Sequence, residues 1–174
     1  MEELKSKIRT IPHWPKQGVM FRDITTVLKD PISFKKVIDT LYERYKNKNI
    51  DLIAGIESRG FIFGSALAYK LNKGFIPLRK PGKLPATSTK VEYELEYGKD
   101  GLEIHNDAII PGQSILLIDD LIATGGSCLA AISLIEKLGG KIAEIAFLIE
   151  LPDLKGREKL NSYSVFSLVS FEGE

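Results

Sequence analysis

The sequence has few of the residues that cross-link small proteins or bind metals, with one cysteine, Cys128, and two histidines among 174 residues. A single cysteine excludes an intramolecular disulfide, and a closed zinc site of four protein ligands is not expected. No apolar run approaches the ~20 residues that a membrane-spanning helix needs. The first residues, Met-Glu-Glu-Leu-Lys, lack the apolar core of a secretory signal. We therefore expect a soluble, cytoplasmic protein that does not bind membranes.

An excess of charge of one sign is also absent, since 24 Lys and Arg residues balance 23 Asp and Glu residues. A formal net charge of +1 provides no general attraction to nucleic acid, so we expect no nucleic-acid partner. The hydrophobic share of 44% and the charged share of 27% are ordinary for a globular chain and exclude a disordered or fibrous one. This length suits one domain, so residues 1–174 are predicted to form a single domain.

The pattern of apolar residues predicts strands that alternate with helices. Apolar runs predict strands at residues 50–56, 74–78, 114–118, 142–149 and about 163–171, with helices at 2–9, about 31–46, after residue 58, and about 126–138. The unbroken apolar run at 115–118 is typical of a strand that is buried on both faces. These features predict an α/β fold, with a mostly parallel twisted sheet flanked by helices.

Residues 80–111 interrupt this alternation, because they are polar and only weakly patterned. A segment of this length between two core strands is usually a functional lid or a flexible arm. We expect it to contain few apolar anchors and to be mobile from about residue 83 to residue 104 when no ligand is bound.

The stretch from 115 to 127 carries the clearest chemical signal. A buried strand delivers two adjacent carboxylates, Asp119 and Asp120, to the sheet edge where open α/β folds bind ligands. The following turn, rich in glycine and hydroxyl groups, runs into a helix, so its N–H and O–H groups can donate to a phosphate. The carboxylates can accept from sugar hydroxyls or hold Mg²⁺ through water. A plain strand–turn–helix corner with Ser127 as the helix cap explains the glycines but not the paired aspartates.

This stretch resembles the phosphoribosyl pyrophosphate (PRPP) signature of the type I phosphoribosyltransferases. Four apolar residues, two acids and a short apolar link precede Ala-Thr-Gly-Gly and a hydroxyl residue. Segments 18–24, 57–61, 79–85, 94–98 and 154–160 resemble those of the adenine phosphoribosyltransferase family, in the same order and at similar spacing. The resemblance covers residues 8–171. This chain differs from the family at Ser127, where threonine is usual, at Met20, where small aliphatic residues are common, and over 87–91.

The resemblance implies a type I phosphoribosyltransferase fold, with an N-terminal adenine-binding segment and a flexible lid at about residues 83–104. It implies an enzyme of purine salvage that transfers the phosphoribosyl group of PRPP to adenine and forms AMP and pyrophosphate. Mg²⁺ is the implied cofactor, held through PRPP and water with no direct protein ligand. A homodimer is expected.

The resemblance also assigns the site residues. The implied catalytic residues are Arg59, Glu96, Asp119 and Asp120, and the implied ligands of the 5′-phosphate are Ala123, Thr124, Gly125, Gly126 and Ser127. The implied pyrophosphate ligands are Ser58, Arg59, Arg79, Lys80, Lys83 and Tyr97. The implied adenine-binding residues are Met20, Phe21, Arg22 and Leu151, with backbone groups reading the base edge. A cis peptide bond is expected at Glu57-Ser58.

Several alternatives remain open on the sequence. Within enzymes, a transferase for 6-oxopurines, orotate or xanthine shares the PRPP signature. The segments at 19–23 and 95–97 argue against these transferases. A regulator that senses PRPP would need an added DNA-binding module or a basic face, for which this chain has neither the length nor the charge. A structural domain with a degenerate site is disfavoured, because every acidic and glycine element of the signature is present. Residue by residue, Arg59 is also compatible with a surface ion pair, Phe21 with a core position, and the cations at 79–83 with a solvated turn. Glu96 and Tyr97 are also compatible with a solvated loop.

Overall fold

The computed structural model describes residues 2–95 and 98–173. In chain order, the helices and strands are α1 (Glu2–Lys7), β1 (Arg9–Pro12), β2 (Met20–Asp23), α2 (Thr25–Leu28), α3 (Pro31–Tyr45), β3 (Leu52–Ile56), α4 (Arg59–Leu71), β4 (Gly74–Leu78), β5 (Ser88–Leu95), β6 (Gly98–His105), β7 (Ser114–Ile122), α5 (Gly126–Lys137), β8 (Lys141–Glu150) and β9 (Val165–Ser170). Two 3₁₀ turns, Pro152–Leu154 and Gly156–Leu160, lie between β8 and β9. No helix in these described ranges is long and apolar enough to cross a membrane.

A five-stranded parallel sheet forms the centre of the molecule, in the order β4-β3-β7-β8-β9. The apolar run at 115–118 lies in the middle strand β7, and each of its residues is at most 2% exposed. The predicted α/β fold with a parallel sheet is therefore confirmed. The prediction that this strand ends at residue 118 is wrong, because β7 continues to Ile122 through its pairing with β8. Asp119 and Asp120 are thus part of the strand.

Alternating residues of β7 point into two separate cores. Leu116 and Ile118 pack with the apolar faces of α3 and α4 on one side of the sheet. Ile115 and Leu117 pack with α5 and with β6 on the other side. The sheet is therefore the middle layer of three, which explains why β7 is apolar on both faces.

Helix α3 begins as the sequence predicts. The Asp30 carboxylate accepts a hydrogen bond from the Ile32 N–H (3.2 Å), and Pro31 occupies the first turn. Val37 and Leu41 on the inward face are buried in the first core.

The segment after β4 forms an antiparallel hairpin of β5 and β6. Leu102 and Ile104 are fully buried in the second core, and the backbones of Arg79 and Glu103 bond each other at 3.0 and 2.7 Å. The expectation that this segment contains few apolar anchors is therefore wrong. The two anchors alternate with Glu103 and His105, a pattern too short to stand out in the sequence. The mobility of residues 83–104 stays a prediction.

Candidate active site

The turn that joins β7 to α5 forms one wall of a cavity of about 220 Å³. All of the predicted 5′-phosphate ligands line this cavity, namely Ala123, Thr124, Gly125, Gly126 and Ser127. Arg59, Asp119 and Asp120 line it as well. Gly125 has φ +80°, and a Cβ there would lie 3.0 Å from the carbonyl oxygen of Gly156. Both the conformation and the space therefore require glycine. The free N–H groups at the start of α5 favour an anion in this position.

Of the two adjacent aspartates beside this turn, Asp120 is buried and Asp119 is half-buried. The Asp120 N–H donates to Asp119 Oδ1 (2.8 Å), and Arg59 Nε lies 3.1 Å from Asp120 Oδ2. Within the described part of the chain, Asp120 Oδ2 makes no aligned hydrogen bond. Burial and the charge of Asp120 raise the pKa of Asp119. Burial also raises the pKa of Asp120, although the Arg59 guanidinium opposes this effect. Burial thus disfavours the ionised form of both carboxyls, and positive charge brought next to them would stabilise that form.

Glycine at position 60 allows the start of α4 to lie close to β7. A Cβ on Gly60 would lie 2.7 Å from the carbonyl oxygen of Ile118 and 3.1 Å from Asp119 Oδ1. Helix α4 therefore begins directly against β7, which brings Arg59 to Asp120. This steric requirement was not evident in the sequence.

The loop between β3 and α4 carries the predicted cis peptide bond, between Glu57 and Ser58. Ser58 is exposed, and its hydroxyl makes no capping bond to α4 among the described residues. The Arg59 guanidinium lies 5.6 Å from the centroid of the Phe21 ring. Arg59 therefore lies between Asp120 and Phe21 inside the site, and the surface-pair alternative is wrong.

Two of the predicted pyrophosphate cations, Arg79 and Lys83, lie around the carboxylate of Glu57. Its Oε2 accepts from the Lys80 N–H (2.7 Å) and lies 3.4 Å from Arg79 Nε, while Oε1 lies 3.6 Å from Lys83 Nζ. The Lys80 ammonium pairs with Asp100. Arg79 and Lys80 are half-buried, Lys83 is exposed, and each of the three is paired with a carboxylate, so the basic turn is only partly solvated. In the described ranges, however, none of these three cations lines the 220 Å³ cavity.

Glu57 is a residue whose role the sequence analysis missed. Burial raises its pKa, but hydrogen bonds from the Lys80 N–H and from Arg79 outweigh that effect, and the net shift is downward. An ionised Glu57 holds the basic turn next to the cis peptide. Glu96 and Tyr97, which the sequence analysis also assigned to the site, lie outside the described residues.

A second cavity, of about 280 Å³, adjoins the first. All four predicted adenine-binding residues line it, namely Met20, Phe21, Arg22 and Leu151. Three further lining residues, Val19, Leu121 and Leu154, were not predicted from the sequence. Arg59, Leu121 and Ala123 line both cavities. A base in the apolar cavity would therefore lie next to a sugar phosphate in the polar one.

The small sheet of β1 and β2 positions Phe21 and Arg22. Phe21 pairs with Ile11 across this sheet, and the Trp14 ring packs edge-on against the Phe21 ring at 4.4 Å between centroids. The Arg22 guanidinium lies 4.2 Å from the Phe171 ring centroid and donates to Thr10 Oγ1. Because Phe21 borders the cavity, the alternative of a purely structural core position is wrong.

Almost the whole chain is similar in sequence to known proteins. Residues 23–174 match the family model described as phosphoribosyl transferase domain. The chain is 59% identical to the adenine phosphoribosyltransferase of Chlorobium phaeovibrioides, over 98% of this chain and 99% of that protein. It is 56% identical to the adenine phosphoribosyltransferase of Desulfosudis oleivorans, over 99% of each.

Solved structures agree with this result. The adenine phosphoribosyltransferase of Thermoanaerobacter pseudethanolicus matches with a TM-score of 0.95 and 52% identity, over 98% of this chain and 99% of that one. The Saccharomyces cerevisiae enzyme, complexed with an imino-altritol bisphosphate and adenine, matches with a TM-score of 0.91 and 45% identity, over 97% of each chain. The chain belongs to the adenine phosphoribosyltransferase family and has the type I phosphoribosyltransferase fold.

Proposed function

We propose that the protein transfers the 5-phosphoribosyl group of PRPP to adenine and forms AMP and pyrophosphate, a reaction of purine salvage. The observation that carries this proposal is the pair of adjoining cavities with Arg59 between them. One cavity offers a phosphate-binding turn and two carboxylates, and the other offers Phe21 and apolar side chains. The near full-length identity to adenine phosphoribosyltransferases supports the same activity.

The reaction breaks the bond from ribose C1 to a pyrophosphate oxygen and forms a bond from C1 to adenine N9. The sugar carries positive charge in the transition state, so nearby negative charge lowers the barrier. Asp119 and Asp120 supply that charge from the edge of β7. Arg59, which lines both cavities, would contact the leaving pyrophosphate. Glu96 stays our candidate for accepting the N9 proton.

Adenine binding follows from the apolar cavity. Phe21 stacks on the base, and Leu151, which is 6% exposed, closes the other side. Backbone carbonyls near Met20 and Arg22 would accept from the 6-amino group and repel a 6-oxo group. The site therefore favours adenine over 6-oxopurines.

We further propose Mg²⁺ as the cofactor. Asp120 Oδ2 is buried and lacks a hydrogen bond within the described residues, which fits a carboxylate that faces hydroxyls or water on a cation. No group of three or more His, Cys, Asp or Glu residues in those ranges is arranged to hold a metal directly. In this proposal Asp119 and Asp120 would hold Mg²⁺ through PRPP hydroxyls and water. When bound, the ion neutralises charge on the departing pyrophosphate.

A homodimer and a cytoplasmic location are parts of the same proposal. Ile62 and Tyr69 lie seven positions apart on α4 and are 37% and 90% exposed, which supports α4 as part of the surface that a second copy would cover. Sedimentation equilibrium tests the dimer, and a single species of about 19.4 kDa would contradict it.

An activity assay tests the proposed function directly. The protein is incubated with PRPP, Mg²⁺ and one base at a time, and nucleotide formation is followed by chromatography. We expect AMP from adenine, with kcat/KM at least ~10²-fold above that for hypoxanthine or guanine, because an oxo group leaves the site's acceptors unpaired. Comparable rates with hypoxanthine, orotate or xanthine would assign the protein to one of those transferases. A lack of any nucleotide would favour a sensor or a degenerate site.

A further inference from the structure

Four polar side chains connect the phosphate-binding turn to the basic turn through the β5–β6 hairpin. Ser127 Oγ lies 3.1 Å from Tyr93 Oη, and Tyr93 Oη lies 3.0 Å from Asp100 Oδ2. The Lys80 ammonium lies 3.3 Å from Tyr93 Oη and also forms an ion pair with Asp100. The hairpin thus contacts Ser127, which is assigned to the 5′-phosphate subsite, and Lys80, which is assigned to the pyrophosphate subsite.

The directions of these hydrogen bonds follow from counting protons. A lysine ammonium only donates, an ionised carboxylate only accepts, and a tyrosine hydroxyl has one proton. Burial raises the pKa of Asp100, but hydrogen bonds from Lys80, the Gly101 N–H and Tyr93 outweigh it, so Asp100 is ionised at neutral pH. Tyr93 therefore donates to Asp100 and accepts from Lys80. The Ser127 hydroxyl then donates to Tyr93.

This arrangement opposes the binding of a phosphate. A phosphate dianion accepts hydrogen bonds, so Ser127 must turn its proton away from Tyr93 to donate to it. The Tyr93 hydroxyl can then rotate, so that it donates to Ser127 Oγ and no longer to Asp100. Asp100 is then left with fewer hydrogen-bond donors. Likewise, the Lys80 ammonium is paired with Asp100, so a pyrophosphate that binds Lys80 competes with Asp100 for it. An equilibrium that favours the ligand-free arrangement lowers the apparent affinity for the ligand.

We propose that Asp100 competes with the phosphate groups of PRPP for Lys80 and, through Tyr93, for the Ser127 hydroxyl. Asp100 and Tyr93 are thus positioning residues that set the affinity of both anion subsites. The proposal rests on the proposed function, which assigns the 5′-phosphate to Ser127 and pyrophosphate to Lys80. If Asp100 and Tyr93 had a purely structural role, substituting them would weaken the binding of phosphate ligands. The proposal predicts the opposite, namely that weakening the network strengthens this binding.

Calorimetric titration with ribose 5-phosphate and with pyrophosphate tests the proposal, since neither titration needs turnover. Asp100→Asn keeps the shape and removes the charge, so we expect pyrophosphate to bind about threefold tighter or more. Tyr93→Phe frees the Ser127 proton, so ribose 5-phosphate should bind about twofold to fivefold tighter. The double variant should bind ribose 5-phosphate no tighter than the better single variant, because both changes act on one hydrogen-bond chain.

Tyr163→Phe is the matched control, because the Tyr163 hydroxyl donates to Glu136 (2.9 Å) near the far end of the same helix α5. It should leave both affinities unchanged. Unchanged or weaker binding by Asp100→Asn, at an unaltered melting temperature, overturns the proposal. If that variant does not fold, Tyr93→Phe decides alone, and a failure to tighten ribose 5-phosphate overturns the proposal.

These outcomes remain separable from the proposed function. A wild-type protein that binds both ligands but forms no AMP from adenine contradicts the function and leaves the titrations interpretable. A wild-type protein that binds neither ligand contradicts both.

Discussion

Asp119 and Asp120 are unusual because two neighbouring carboxylates, one half-buried and one buried, lie near the end of a central strand. Arg59 compensates part of their charge, through its 3.1 Å approach to Asp120 Oδ2. An uncompensated buried charge destabilises the protein, so a site that keeps it is adapted to a ligand with the opposite charge. The ribosyl cation of the proposed reaction is such a species.

We expect Asp119→Asn and Asp120→Asn each to lower kcat by more than tenfold, because each removes charge that acts mainly in the transition state. The kcat and kcat/KM values should fall together. Steady-state kinetics with adenine and PRPP measures both values, and circular dichroism checks the fold. If both variants keep turnover near that of the wild type, the electrostatic role is wrong.

Phe21 gives the second prediction at this scale. Phe21→Ala removes the surface on which adenine stacks, a loss of roughly 1–3 kcal/mol, so the KM for adenine should rise. The KM for PRPP serves as the internal control, because Phe21 lines the apolar cavity and not the polar one. An equal rise in both KM values would indicate that the variant disturbs the whole site.

At the scale of whole elements, α3 and β8 are joined by a buried charge cluster away from the site. The Glu144 side chain is 1% exposed and pairs with Arg44 and Lys48, which are 35% and 43% exposed. Burial raises the pKa of Glu144, but hydrogen bonds from Arg44 and Lys48 outweigh it and the net shift is downward. The cluster therefore stabilises the fold when Glu144 is ionised.

Glu144→Gln should lower the free energy of unfolding by about 1–3 kcal/mol at pH 7, because a charged hydrogen-bond acceptor is lost. A lowered folded-state pKa means that the contribution is complete above the unfolded value of 4.5 and is lost as pH falls through the folded value. The difference from the wild type should therefore shrink below pH 4.5.

Urea unfolding at pH 7 and at a series of acidic values measures this difference. Glu43→Gln is the matched control, because Glu43 pairs with Lys46 on the surface and is 62% exposed. We expect it to change stability by less than about 0.5 kcal/mol. A Glu144→Gln difference that is independent of pH would contradict the assigned role of its charge.

The β5–β6 hairpin has one anchored end, where Leu102 and Ile104 are buried and Arg79 bonds Glu103. We expect the Arg79 and Glu103 amides to exchange slowly with solvent both with and without PRPP. PRPP should add protection elsewhere between residues 83 and 104. Hydrogen exchange measured by mass spectrometry distinguishes the two regions. Equal protection with and without PRPP throughout this range would contradict a lid that closes on PRPP.

At the scale of the whole molecule, the site lies where the sheet changes its direction of winding. From β3 the chain passes through α4 to β4 on one side, and from β7 it passes through α5 to β8 on the other. The loops after β3 and β7 therefore meet at the carboxyl edge of the sheet, which is where open α/β folds bind ligands. The contact between Arg59 and Asp120 joins these two loops.

The sequence allowed this part of the site to be predicted because its chemistry is contiguous along the chain. The apolar strand, the aspartates and the phosphate-binding turn all lie between residues 115 and 127. By contrast, Glu57 holds Arg79, and Lys80 pairs with Asp100, across about twenty residues in each case. The first pairing depends on the register of β3 against β4, and the second depends on how the hairpin packs against β4; no local pattern encodes either. The end of β7 was misplaced for a similar reason, since its pairing with β8 extends the strand past the polar residues.

The edge-on packing of Trp14 against Phe21 gives the protein an optical reporter of its own. Trp14 is the only tryptophan, it is 50% exposed, and its ring centroid lies 4.4 Å from that of Phe21. A purine that stacks on Phe21 therefore changes the surroundings of the Trp14 ring, from which all of the tryptophan fluorescence comes. Adenine should shift or quench the emission in a saturable way, and Phe21→Ala should weaken the response without removing the fluorophore. Stopped-flow mixing would then time the arrival of the base without any label.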